Sequence, residues 1–248
     1  KFLAIPDPPP RAGSVPRLLN LLPSVSRFLL LPNGRAVVPA LQKWGRTSRK
    51  KALQMSRIAR VVVPEMPFHV TQRGNNHQAV FLSDSDREEY LCLLGKRIEK
   101  TGAEIIAYCL MDNHVHFVVF PHSAKDLADT FGRVHCVYAL RFNARYERNG
   151  HLWQNRFFSC ALDQEHLEAA VRYVELNPVR AGMLECPWEY PWSSARPHVL
   201  GVLPPVSLVD ADRFGMQSGS AWKMFLAGGL GDIELESIRS STRKGLPL

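Results

Sequence analysis

No two cysteines in this chain are spaced to act together. Cys92, Cys109, Cys136, Cys160 and Cys186 form an odd, scattered set with no C-x-x-C. That argues against a disulfide framework or a thiolate zinc ribbon and fits a reduced, cytoplasmic setting. No apolar run approaches the ~20 residues that a bilayer span needs, so no membrane helix is expected. No internal repeat is visible. Acidic residues are nearly missing from the first quarter: residues 1–60 hold twelve Lys or Arg and one acid, Asp7, a charge of +11. Residues 61–248 hold nineteen basic and twenty-two acidic residues, a charge of −3, so the overall +8 belongs to the leader. A polyanionic partner must therefore be argued from local patches in the body.

Residues 1–54 are rich in Pro, Arg, Ser and Leu without a period, and Pro8, Pro9, Pro10, Pro16, Pro23, Pro32 and Pro39 break any long helix. The composition is that of a transit peptide or of a disordered extension. Met55 lies where the sequence gains order, and the expectation is that residues 1–54 are a disordered or spurious extension. After it, residues 66–73 read as a strand and Gly74-Asn75-Asn76 as a turn. Ser85 and Glu88 have capping-box spacing for a helix to Lys100, which Gly102 closes. Strands over 104–110 and 114–120 flank the tight connector Met111-Asp112-Asn113. A helix over 124–146 carries Val134, Tyr138 and Phe142 on one face. A third helix, 165–176, packs through Leu167, Ala170, Val171 and Val174 and is expected to end at Pro178. A Pro-Trp-Trp segment, 186–194, wraps the body, and one more helix is expected near 221–226. The order β-α-β-β-α, then an extended piece, predicts an α+β fold: a ferredoxin-like antiparallel sheet with helices on one face. It fills a domain over 57–200, with 201–248 as an extension ending in a basic tail.

The chemistry starts from Tyr108-Cys-Leu-Met-Asp-Asn-His-Val-His-Phe-Val-Val-Phe120. On a strand, residues i and i+2 share a face, so His114 and His116 can hold one divalent cation while Val115 packs behind them. Such a pair can equally be two half-exposed polar positions. The third helix adds Tyr173 and Asn177, one turn apart on one helical face. An amide oxygen can complete a site with two imidazoles, and the phenol then stands beside it. A phenol ionises near ~10 and is a poor nucleophile at neutral pH. A cation that binds the scissile phosphate neutralises developing charge and aims phosphorus for in-line attack. The product is a covalent phosphotyrosine, which keeps the bond energy for resealing. Phosphate oxygens as remaining ligands favour Mg²⁺ or Mn²⁺, although imidazoles also suit Zn²⁺. Tyr138 and Tyr146 are rival nucleophiles; Tyr138 belongs to an apolar stripe and Tyr146 lies near a helix end, where it can stack on a base.

Residues 133–156 hold five arginines, Arg133, Arg141, Arg145, Arg148 and Arg156, with one acid, Glu147. His135, Tyr146, His151, Trp153, Gln154 and Phe157 are interleaved with them. This basic-aromatic patch reads either as a solvated face over a packed Trp or as a nucleic-acid contact through the arginines and Trp153.

Four segments in order, HVTQRGNN (69–76), YCLMDNHVHFVV (108–119), GHLWQNRF (150–157) and YVELNPVRAG (173–182), resemble the REP-associated tyrosine transposases. These are single-tyrosine relatives of the insertion-sequence HUH (histidine-hydrophobic-histidine) transposases. The resemblance covers roughly residues 57–200. It implies a ferredoxin-like core that cuts and rejoins single-stranded DNA near small hairpins through a 5′-phosphotyrosine. By position, His114 and His116 match the metal histidines, Tyr173 the nucleophile and Asn177 the third ligand. Members commonly have Pro where this chain has Asp112. Three functions stand: a DNA strand-transferase; a DNA- or RNA-binding regulator without catalysis on the same fold; and a metal-dependent hydrolase using Asp112. The chain is expected to act as a monomer or homodimer, with the tyrosine supplied in cis or in trans.

Overall fold

A computed structural model of the chain describes residues 62–215 and 218–244. The leader expected over residues 1–54 lies outside the described residues.

Four strands, β1 (Phe68–Arg73), β2 (Glu104–Met111), β3 (His114–Phe120) and β4 (Phe158–Ala161), form one antiparallel sheet in the order β2-β3-β1-β4. With helix α1 (Asp84–Thr101) between β1 and β2 and α2 (Arg133–Arg145) between β3 and β4, this is the expected ferredoxin-like arrangement. The hairpin β2–β3 closes over Asp112-Asn113, and Met111 pairs with His114. β2 is buried from Ile105 to Met111, because both faces of the sheet are covered.

One face carries α1 and α2. Tyr90, Leu91, Leu94 and Ile98 of α1 and Val134, Tyr138 and Phe142 of α2 meet Val70, Tyr108, Leu110, Val115 and Phe117 of the sheet. These side chains recur at i, i+3, i+4 spacing, the stripe a covered helix needs. α1 begins at Ser83, not at the expected Ser85. The Ser83 hydroxyl accepts from the Asp86 amide while the Asp86 carboxylate accepts from the Ser83 amide, which completes the capping box two residues earlier. It ends at Gly102, whose φ of 77° belongs to the left-handed region that glycine adopts without strain. A π-helical turn, Ala128–Gly132, leads into α2.

The opposite face carries a second layer. α3 (Gln164–Glu175) lays Leu167, Ala170, Val171 and Val174 on Ile106, Cys109 and Val118. Pro178 does not end the helical run. It sits in the first turn of a short helix, α4 (Asn177–Arg180), where a missing amide proton costs nothing. Helices α5 (Ala195–Leu200), α6 (Ser220–Ala227) and α7 (Asp232–Lys244) follow. Only α6 was expected from the sequence. Glu175, fully buried, joins this layer: its Oε1 accepts from Ser194 Oγ at 2.5 Å and His198 Nδ1 at 2.7 Å, and its Oε2 from Trp222 Nε1 at 2.7 Å. A buried carboxylate is tolerated only when its lone pairs are filled this way. The junction fixes the helix bearing Tyr173 to the segment and helix that follow it.

Candidate active site

β3 turns His114 and His116 to the face covered by α3. The centroids of their rings are 5.0 Å apart. In register on β1, Thr71 stands opposite His116 and Arg73 opposite His114. Tyr173, in the last turn of α3, meets His116 at 5.6 Å and His69 at 5.8 Å between centroids in edge-to-face geometry. Asn177, at the start of α4, faces the same cleft of about 530 Å³, which His114, His116, Tyr173 and Arg180 also line. The four residues expected to act together, His114, His116, Tyr173 and Asn177, are therefore together.

Hydrogen bonds fix which atoms they offer. Asn113 Nδ2 donates to the His77 carbonyl at 3.2 Å, so its Oδ1 is the atom 2.6 Å from His114 Nδ1. An amide oxygen only accepts, so the proton of His114 sits on Nδ1 and Nε2 keeps its lone pair. His116 Nδ1 lies 2.9 Å from His69 Nε2. With the proton on His116 Nδ1, its Nε2 too is left as a lone-pair donor. Asn177 Nδ2 donates to the Val174 carbonyl at 3.2 Å, which turns Oδ1 outward; Arg180 Nη2 stands 3.3 Å from that oxygen. Two imidazole nitrogens and an amide oxygen are a donor set that a divalent cation accepts with water and phosphate oxygens. No set of three or more His, Cys, Asp or Glu is arranged for a metal among the described residues.

Burial first, then the Arg180 charge, pushes His69 down to about 4. Burial, then Arg73, Arg180 and His77, pushes His114 to about 4. His116 lies well below the usual imidazole range, through burial and then its neighbours His114 and His69. All three rings are neutral at pH 7, the state in which imidazole ligates.

Two of these groups escaped the sequence reading. His69 was legible only as part of a strand, since its place beside His116 depends on the β1–β3 register. Arg180 lies flat on the Tyr173 ring, its guanidinium carbon 4.0 Å from the centroid, and its Nη1 donates to the Tyr173 carbonyl at 3.0 Å. The clue was its spacing, one turn past Asn177.

Of the basic-aromatic patch, only Gln154 lines this cleft. α2 covers the other face of the sheet, so its arginines and the paired imidazoles do not share a surface. Trp153 is 9% exposed, packs against His135 at 4.8 Å and donates from Nε1 to the His135 carbonyl at 3.0 Å. Its indole packs between α1 and α2, against Tyr90 and Tyr138. Arg145 bridges Asp86 at 2.5 Å and Glu89 at 2.6 Å, and Arg141 holds Glu89 at 2.9 Å. Arg148 bonds Gln78. Arg133 and Arg156 are exposed. Asp112, the carboxylate a hydrolase would use, points to the α1 side and is ion-paired with Arg87, away from the cleft. Tyr138 and Tyr146, the rival nucleophiles, are likewise on the α1–α2 side; Tyr138 Oη donates to the Val80 carbonyl at 2.6 Å and Tyr146 Oη to Asp86 at 2.8 Å.

Residues 62–177 of the chain match the family model described as "Transposase IS200 like". Among solved structures, it is similar to a REP-associated tyrosine transposase bound to a REP hairpin, at 21% identity over 63% of this chain and 93% of that one, with a TM-score of 0.49. It is also similar to a bacterial tRNA(His) guanylyltransferase-like protein in complex with GTP, at 11% identity over 54% of this chain and 73% of that one, with a TM-score of 0.34. No curated protein sequence matches it. No described helix is long and apolar enough to cross a membrane.

Proposed function

We propose that this chain is a REP-associated type of tyrosine transposase, which nicks and rejoins single-stranded or hairpin DNA through a 5′-phosphotyrosine at Tyr173. The observation that carries the reading is the meeting of Tyr173 with His114, His116 and Asn177 in one cleft. His114, His116 and Asn177 would hold Mg²⁺ or Mn²⁺, whose charge would polarise the scissile phosphate. Tyr173 Oη attacks phosphorus in line and the P–O3′ bond breaks. The phenol proton is passed on and the departing 3′ oxygen leaves as a hydroxyl. Attack by a 3′ hydroxyl on the phosphotyrosine runs the same step backwards and reseals the strand. Arg180, fixed over the Tyr173 ring, supplies positive charge beside the phenol oxygen and the phosphate as negative charge develops. α3 is tied to its own subunit by Glu175, which favours a tyrosine acting in cis. A binding-only regulator on this fold would have no use for a phenol beside two neutral imidazoles. Asp112, paired with Arg87, disfavours the hydrolase reading.

The test is incubation with Mn²⁺ and a labelled hairpin oligonucleotide carrying single-stranded flanks. A protein-linked label that survives denaturing electrophoresis is expected with the wild type. A cleaved strand with no protein-linked label would mean water, not Tyr173, is the nucleophile; binding with no cleavage would favour the regulator.

A further inference from the structure

The cleft has a second wall, and it is built from residues that no part of the proposed cleavage uses. α3 and α4 form one side, with Tyr173 and Arg180. β4 contributes Phe158 and α7 contributes Arg239, and Gln154 and Arg73 line the cleft as well. Ile238, fully buried in the second core, pins α7 and leaves Arg239 exposed.

Phe158 is 38% exposed, whereas Phe157 is 6% exposed and faces the first core. In register, Phe158 pairs with Thr71, and Thr71 pairs with His116. The three side chains stand in a row across β4, β1 and β3 on one face. Two strand spacings place Phe158 about 10 Å from His116. A single exposed aromatic is ordinary on a protein surface. Phe158 differs in its position, in the same cleft as the candidate nucleophile and ligands. The charge of the cleft differs from that of the body as well: Arg73, Arg180 and Arg239 line it and, among the described residues, no Asp or Glu does, while residues 61–248 carry −3 in total.

Resting on the strand-transferase reading above, we infer that Phe158, flanked by Arg73 and Arg239, is a stacking subsite for an unpaired nucleobase beside the scissile phosphate. A ring exposed at the edge of a cationic trough fits a polyanion that also offers flat apolar faces. Base–aromatic stacking tolerates any base, and guanidinium groups track the backbone. A base inside a duplex has both faces covered by its neighbours, so the subsite takes single-stranded flank and not the hairpin stem. α7, which packs on β4, β1 and α3, then brings Arg239 to the strand.

The test is binding, read by fluorescence anisotropy in a Tyr173→Phe background so that no adduct forms. The probes are a labelled hairpin with an intact single-stranded flank and a set in which one abasic residue is walked along that flank. Phe158→Ala is expected to weaken the intact probe about tenfold and to leave affinity unchanged for the probe whose abasic residue falls at the subsite. Phe158→Leu, which keeps the bulk and guards against misfolding, is expected to behave as Phe158→Ala, and Phe158→Trp to restore binding. Arg239→Gln is expected to weaken all probes alike and flatten the salt dependence by about one counterion. Equal affinities of the wild type, Phe158→Ala and Phe158→Leu for every probe, or an equal loss on intact and abasic strands, would overturn the subsite. Adduct formation by the wild type is read separately, so a failed subsite and a failed strand-transferase reading give different results.

Discussion

His69 Nε2 and His116 Nδ1 lie 2.9 Å apart, both buried on the paired strands β1 and β3. The contact decides which nitrogen His116 offers. If His69 accepts, His116 carries its proton on Nδ1 and presents Nε2 as a lone pair. Partners of this kind commonly account for about 10–100-fold in metal affinity. His69→Ala is therefore expected to weaken Mn²⁺ binding by about that factor in calorimetry, with a smaller effect on the affinity for DNA. Equal Mn²⁺ affinity in the variant would show that His69 is only packed there.

The neutral imidazoles have a thermodynamic signature. His69 and His114 bind protons near pH 4 in the folded chain but near 6.5 when unfolded. Between those values the unfolded chain holds more protons, so stability falls as pH drops from about 6.5 towards 4 and levels off below. Above pH 7 these groups contribute no slope. For the fully buried His69 alone the slope approaches about 1.4 kcal/mol per pH unit. Urea titrations of the wild type and a His69→Gln variant across this window read the difference in slope, which should be largest near pH 5.

Asp86 is expected to matter more for stability than any arginine near it. Its carboxylate accepts from the Leu82 and Ser83 amides, Tyr146 Oη and Arg145 Nη1, all at 3.0 Å or less. Asp86→Ala removes the carboxylate half of the capping box and leaves the half-buried Tyr146 hydroxyl without its acceptor, at a cost of about 2 kcal/mol. Thermal melts should show the loss, with the adduct yield of the folded protein unchanged.

Arg141 and Arg145 already neutralise Glu89 and Asp86. Removing both charges is expected to change DNA affinity by less than about threefold, since exposed, paired charges contribute little, whereas Arg73→Gln, in the cleft, weakens binding and its salt dependence. A salt-dependent loss on Arg141→Ala/Arg145→Ala equal to that of Arg73→Gln would place the DNA on the α2 face instead.

Strands β2 and β3 were legible because two-sided burial writes itself as an apolar run, Ile105 to Leu110, with a polar turn after it. The Tyr173–Asn177 pair was legible because helical spacing is local. His69, His116 and Phe158 share a face only through strand register, which joins positions 47 and 42 residues apart and leaves no local pattern. The separation of the arginine patch from the cleft was hidden for a related reason. A helical period says which side chains share a stripe, but not which face of the sheet the helix covers. α7 was missed because its apolar positions are few: Ile238 is buried and Leu235 half-buried, among Asp, Glu, Ser and Arg.

The proposed chemistry depends on a bond between one phenol oxygen and one phosphorus. Mass spectrometry of the protease-digested adduct, formed with Mn²⁺ and a hairpin oligonucleotide, tests it most directly. The peptide containing Tyr173 is predicted to carry the nucleotide through its 5′ phosphate, and Tyr173→Phe to give no modified peptide while still binding the DNA. Nucleotide attached to Tyr138, Tyr146 or any other residue, or an adduct that persists in Tyr173→Phe, would contradict it.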